Sequence, residues 1–400
     1  MHSTTPLLLL LATATALTAA DWPNYRGPTH DGISAEKGWQ AQWPDDGPAI
    51  LWKAEVGTGF ASFSVADGRV YTTGNQEDED SVFCFDAVSG RQVWRHTYPA
   101  DLDPKYYEGG TSATPTVAGG KIYQLSRWGD AMCLDAASGK VAWQKNLQKE
   151  AGVRIPDWGY AGSPLVQGKH VLFNMGEAGI CVEAATGKIV WKSADKKAGY
   201  STPLPVQRNG KNLILLGNAS NYLAVDATTG SQVWSFPWAT AYGVNAADPV
   251  LSSNLVFISS GYEKGAALLK WSGDSVSAAW QNKEMRNQFN SCVLHKGHLY
   301  GIDGNHDKAS LKCLELESGK TKWSEKSVGA GSLMMADETL IVLGAKGELM
   351  TVPAAPDRFA AISRAQVLKG KCWTAPVLAN GLIYCRNAAG SVVCLDVRKK

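Results

Sequence analysis

Apolar and polar positions alternate in short runs along nearly the whole chain, as in Lys121-Ile122-Tyr123-Gln124-Leu125, followed closely by Ala131-Met132-Cys133-Leu134. Runs of this length and period read as strands, with successive side chains on opposite faces. They lead into one recurring pattern: an acidic residue, three residues, Gly, three residues, Trp. It reads Asp86-Gly90-Trp94, Asp135-Gly139-Trp143, Glu183-Gly187-Trp191, Asp226-Gly230-Trp234 and Glu315-Gly319-Trp323. Degraded copies fill the gaps, with Trp280 following Gly273 at a longer distance and Trp52 standing without its turn. The six intervals between Trp52 and Trp323 average about 45 residues, the length of one propeller blade.

Each part of the pattern has a mechanical reason. In Asp135-Ala-Ala-Ser-Gly139-Lys140 the acidic side chain can bond the turn's N–H groups, and Gly can take the left-handed conformation that other residues resist. The turn therefore joins two strands of a hairpin, and the strand after it carries Trp. Adding the segment before each Val-x-x-Gly-x-x-Tyr stretch, such as Ser112 to Val117, predicts four strands per repeat. A blade alone would leave its apolar faces wet, so the outer-strand tryptophans Trp52, Trp94, Trp143, Trp191, Trp234, Trp280 and Trp323 are expected to dock one blade on the next.

With a Trp-less outer strand near Ile362 to Val367, the outer strands number eight. The repeat from Cys372 to Val397 lacks an outer strand, and Ala49 to Lys53 supplies one with nothing before it. Pairing the two closes the ring and removes its free edge. The predicted fold is all-β: an eight-bladed propeller of four-stranded antiparallel blades, closed by strands from both termini. Blade seven is expected to be irregular, because Pro353 and Pro356 follow Glu348 to Val352.

Composition narrows the function classes. With 44% hydrophobic residues, 19% charged residues and a net charge of +2, the chain has neither the basic excess of a nucleic-acid binder nor that of a protein held on anionic lipid. Met1 to Ala20 carries an apolar run ending in Thr18-Ala19-Ala20, a cleavable signal pattern too short for a transmembrane anchor. No Cys near that point could accept a lipid. The expected layout is a signal peptide over 1–20, a cap segment over 21–47 and the propeller over 48–400, in a monomer that is periplasmic or secreted. Of the eight Cys, five (Cys84, Cys133, Cys181, Cys313, Cys394) stand two residues before the acidic turn position. Equivalent positions in neighbouring blades lie roughly 10 Å apart, beyond the ~7 Å limit for bridging, so buried thiols are expected. Cys385 with Cys394 is the one pair worth checking.

The Asp/Glu-Ala-x-Ser/Thr-Gly-(x)3-Trp motif at this period resembles the pyrroloquinoline-quinone-type (PQQ-type) repeats of quinoprotein dehydrogenases and of the eight-bladed outer-membrane assembly factor of the BamB type. The likeness covers roughly Ala49 to Lys400, and the leader Asp21-Trp22-Pro23-Asn24-Tyr25-Arg26-Gly27-Pro28 resembles that of other exported bacterial propellers. The dehydrogenase resemblance implies a quinone in the central channel beneath a disulfide of adjacent cysteines, beside Ca²⁺ and an Asp base. The chain has no Cys-Cys pair and no Cys-x-x-Cys-His for a haem.

Candidate chemistry is correspondingly sparse. Asp86, Asp135, Glu183, Asp226 and Glu315 read as turn caps, and His298 and His306 lack metal-ligand spacing. No catalytic or metal-ligating residue is assigned. The expected binding surface is the channel rim, where connections reach each innermost strand: Tyr160, Tyr200, Tyr242, Asn245, Asn290 and Trp373. The expected function is an exported, non-enzymatic binding or scaffold module for a protein or small ligand, requiring no cofactor though PQQ binding stays possible. The alternative is a PQQ- and Ca-dependent alcohol or sugar dehydrogenase with an atypical site.

Overall fold

The computed structural model describes residues 20–305 and 308–399. The expected signal segment, apart from Ala20, and His306 lie outside the described residues. The fold is an eight-bladed, all-β propeller. Blade one consists of Ser64–Ala66, Arg69–Gln76, Glu79–Asp86 and Gln92–Pro99, antiparallel and hydrogen-bonded in that order from the axis outward. Blades two to six repeat the plan over 116–146, 165–192, 204–237, 250–282 and 293–325. The inner hairpins turn on paired positive φ values, for example Asp67 at 52° with Gly68 at 70° and Asn380 at 57° with Gly381 at 71°. That geometry matches the right-handed twist of the strands.

The recurring pattern works as a joint between blades. In the turn, Asp86 Oδ1 accepts the Ser89 N–H at 2.8 Å, Asp135 Oδ1 that of Ser138 at 3.1 Å, and Asp226 Oδ1 that of Thr229 at 3.0 Å. The preceding blade's indole then lies across this turn and donates to the carbonyl just after the acidic residue. Trp52 Nε1 reaches Ala87 O at 3.0 Å, Trp94 Ala136 O at 3.0 Å, Trp143 Ala184 O at 2.8 Å, Trp191 Ala227 O at 3.0 Å and Trp280 Leu316 O at 3.0 Å. The glycine serves twice. Gly90, Gly139, Gly187 and Gly230 hold φ near +70°, and a Cβ on any of them would fall 2.4–2.7 Å from the indole above.

Two of the indole joints depart from the rule. Trp323 donates to Ala355 O at 2.9 Å, where Pro353-Ala-Ala-Pro356 replaces the acidic turn. Trp234 packs edge-on against Trp271 at 5.4 Å, and its buried Nε1 has no acceptor.

Both chain ends close the ring. Ala49–Glu55 pairs antiparallel with Ser391–Asp396, Trp52 opposite Cys394, completing the blade begun by Val377–Ala379 and Leu382–Arg386. Arg386, fully buried, spans the seam and donates to Gly57 O at 3.0 Å, Ala61 O at 3.2 Å and Thr73 O at 2.6 Å in blade one. All eight cysteines are free and buried. Cys385 faces Val393 while Cys394 faces Tyr384, so adjacent register positions send the two thiols to opposite faces and no bridge forms.

Blade seven comprises Ser332–Ala336, Thr339–Leu343, Glu348–Pro353 and Ser363–Gln366, and gains a fifth strand where Ile33–Ser34 pairs parallel to Ser332–Ala336. The blade keeps its four antiparallel strands, and the extra one is added because residues 22–34 enter the channel. Trp22 exchanges backbone bonds with Val65 at 2.8 Å, and Pro23 O accepts from Val117 N at 2.7 Å. The segment then leaves between blades seven and eight, where Glu36 accepts from the backbone of Asn380 and Gly381. Ser363 occupies the outer-strand position that elsewhere carries Trp. Trp43 N donates to its Oγ at 3.1 Å, and Gln40 N donates to Val397 O at 2.7 Å, the carbonyl an eighth indole would have reached. Trp39 and Trp43, both buried, fill the gap.

Candidate functional site

Two residues before the inner strand, blades one to six place Ser62, Thr114, Ser163, Thr202, Asp248 and Ser291. Each blade's backbone N–H donates to the next blade's side-chain oxygen: Ser62 to Thr114 Oγ1 at 2.9 Å, Thr114 to Ser163 Oγ at 2.9 Å, Ser163 to Thr202 Oγ1 at 3.1 Å, Thr202 to Asp248 Oδ1 at 2.7 Å, and Asp248 to Ser291 Oγ at 2.7 Å. This girdle holds the channel's waist, and Asp248 is its single carboxylate.

On one side of the girdle the channel is filled by residues 22–34. Tyr25 and Arg26 reach the waist, with Arg26 Nε 3.9 Å from Asp248 Oδ2 and Arg26 Nη2 donating to Cys292 O at 2.8 Å. Burial pushes the Asp248 pKa up to about 6, with Arg26 pulling the other way. On the other side lies a cavity of about 890 Å³, near the upper end of the range for small-molecule sites. Tyr25, Ser62, Ser163, Thr202 and Asp248 line its floor.

The wall is an aromatic collar. Seven of the eight connections between blades place an aromatic side chain in it: Phe60, Tyr106 with Tyr107, Trp158, Tyr200, Tyr242, Phe289 and Trp373. Trp373 stacks on Phe289 at 4.0 Å between ring centres, and Trp158 meets Tyr242 edge-on at 6.3 Å. The long connection carrying Tyr107 is held by buried Arg127, which pairs with Asp103 at 3.0 Å and donates to Leu102 O at 3.1 Å. Tyr242 is 58% and Tyr106 100% exposed, so the collar keeps apolar area in water, which a ligand could cover.

Of the six rim residues expected from sequence, Tyr200, Tyr242 and Trp373 meet in this cavity. Tyr160 is buried beside it, donating to Arg154 O at 3.0 Å. Asn245 is buried and donates to Asn218 O at 2.8 Å and Trp238 O at 2.7 Å, bracing its own connection. Asn290 donates to Gly331 O at 2.8 Å, tying blade six to blade seven. His298 stays in the inner hairpin of blade six, Nδ1 3.0 Å from Lys296 O. Tyr25, Trp158, Lys371 and Asp248 are absent from the sequence-derived set. Asp248 had a legible signal, a carboxylate in a column otherwise of hydroxyls.

The floor offers one carboxylate, Asp248. Asp248 spends one oxygen on the Thr202 N–H and turns the other toward Arg26. No group of three or more His, Cys, Asp or Glu side chains among the described residues could hold a metal ion. Among these residues no helix is long and apolar enough to cross a membrane.

Among solved structures, the fold resembles BamB from Moraxella catarrhalis, at 14% identity over 88% of this chain and 100% of that one, with a TM-score of 0.62. It resembles quinohemoprotein alcohol dehydrogenase from Comamonas testosteroni at 14% identity over 95% and 81%, TM-score 0.70. The quinohemoprotein alcohol dehydrogenase ADHIIG from Pseudomonas putida HK5 gives 13% identity over 95% and 81%, TM-score 0.66. At these identities the likeness is one of fold. No curated protein matches the chain significantly by sequence. The model of one family, described as outer membrane protein assembly factor BamB, matches residues 34–105 and 78–325, more than half of the chain, and the protein belongs to that family.

Proposed function

We propose that the protein is an exported, non-enzymatic propeller that seats a ligand in the aromatic cavity at its channel mouth. The observation that carries this reading is the blind shape of the cavity: an aromatic collar from seven connections above, and Tyr25 with the Asp248 girdle below. Apolar walls with few converging polar groups are the usual composition of a binding site. A catalytic reading needs a paired acid and base or a metal, whereas Asp248 stands as the girdle's single carboxylate, with one oxygen on the Thr202 N–H and Arg26 as its counter-ion. The signal-like pattern ending at Ala20 supports export, and the near-neutral charge argues against nucleic acid. A scaffold role toward a protein partner is the second reading, favoured by family membership; here the propeller acts as a monomer.

The opposing reading is a PQQ- and Ca-dependent alcohol or sugar dehydrogenase, suggested by two neighbours of similar fold that are quinohemoprotein alcohol dehydrogenases. Titration of residues 21–400 with PQQ and Ca²⁺, followed by dye reduction over alcohols and sugars, separates the two. We expect neither stoichiometric quinone binding nor turnover. Turnover that depends on both additions would overturn the proposal.

A further inference from the structure

Taking the cavity as a ligand seat, we infer that its occupant is an uncharged carbohydrate, a short chain of polyhydroxylated rings entering by one end. The first observation is electrostatic. Each charged side chain in the cavity lining carries its own counter-ion: Asp157 has Lys197 at 2.9 Å, Lys371 has Glu108 at 2.7 Å, and Asp248 has Arg26 at 3.9 Å. A charged ligand would shed its hydration and find no unmatched charge in return.

The second observation is the division of the lining into aromatic walls and a polar floor. Asp248 Oδ2 lies beyond hydrogen-bond reach of Arg26, so the floor keeps an acceptor for a donor that the ligand brings. A bare hydrocarbon would cover this acceptor and leave it unpaired, forfeiting the hydration of that carboxylate oxygen with nothing in return. A sugar ring meets both halves, since its C–H faces lie on aromatic rings while its edge presents hydroxyl donors. The third observation is the closed floor. Residues 22–34 fill the channel below the girdle, so a polymer cannot thread through and only a chain end fits.

The test is calorimetric titration of residues 21–400 with linear neutral oligosaccharides of several linkages, a cationic glucosamine oligomer, an anionic galacturonate oligomer and an uncharged peptide. Trp373→Ala and Tyr242→Ala remove collar rings, and Trp191→Phe is a control at a blade joint outside the cavity. Saturable 1:1 binding of at least one neutral oligosaccharide is expected. It should weaken at least tenfold in Trp373→Ala, remain in Trp191→Phe, and exceed the affinity of the charged oligomers. Binding of the peptide alone, lost in Trp373→Ala, would overturn the carbohydrate assignment and leave the ligand seat standing. Binding of none of the probes, with all variants folded by circular dichroism, would overturn both.

Discussion

At the residue scale, the stability of the ring comes down to what each indole finds on the next blade. Trp143 Nε1 has Ala184 O at 2.8 Å, whereas the buried Nε1 of Trp234 has no acceptor. Trp143→Phe should therefore cost about 1 kcal/mol more than Trp234→Phe, the net worth of one hydrogen bond. Denaturant midpoints measure this, and equal losses would contradict it. The same joint separates two glycines of similar φ. A Cβ at Gly139 would lie 2.6 Å from Trp94, while one at Gly119 meets nothing within 4 Å. Gly119→Ala should cost only its backbone strain, about 1 kcal/mol, and Gly139→Ala clearly more, because the indole must also shift.

Asp248 gives a pH prediction. Its folded pKa, pushed up to about 6 by burial, exceeds its ordinary 3.8, so the fold binds this proton more tightly than the unfolded chain does. The stability it contributes is present below about pH 4 and lost as pH rises through 6. The melting temperature of Asp248→Asn relative to the wild type should therefore climb between about pH 4 and 6.5 and level off above. A constant difference would show that the carboxylate titrates normally.

At the element scale, the strands were legible because their period and turn chemistry are local, and Asp86-x-x-x-Gly90 announces its hairpin before any tertiary contact forms. The cap was not legible in the same way. Nothing in Ile33-Ser34 marks it as a strand, since it becomes one only by pairing with Ser332–Ala336 some 300 residues later. The Trp-less strand at Ser363 was visible, but its remedy was not: Trp39, Gln40 and Trp43 come from outside the repeat and so share no spacing with it. The rim behaved similarly. Tyr200, Tyr242 and Trp373 are legible in the sequence as residues of the connections and line the cavity, yet sequence cannot say which way a loop side chain turns, and Asn245 turns inward to brace Trp238. If Trp39 and Trp43 replace the missing joint, changing both to Ala should remove hydrogen-exchange protection chiefly from blades seven and eight and leave blade four protected. Uniform loss around the ring would contradict a local role.

At the scale of the whole molecule, closure rests on the pairing of Ala49–Glu55 with Ser391–Asp396 and on Arg386 across the seam. Arg386 is a buried cation satisfied by carbonyls, with its pKa lowered to about 9 by burial. Arg386→Met would remove a charge that is costly to bury but strand several carbonyl groups. The second effect should dominate, with a net loss of about 3 kcal/mol, read as a lower denaturant midpoint; an unchanged midpoint would show that strand pairing alone closes the ring. A rigid ring of this kind keeps the collar residues, which come from seven different connections, at fixed separations.

The claim that the channel is a blind ligand seat is tested most directly by a crystal structure of residues 21–400 grown with the tightest-binding oligosaccharide. The account predicts one ligand between Trp373 and Tyr242, its end near Asp248, with Tyr25 closing the floor beneath it. A ligand bound on the outer blades over an empty cavity, or a channel open from face to face, would contradict it.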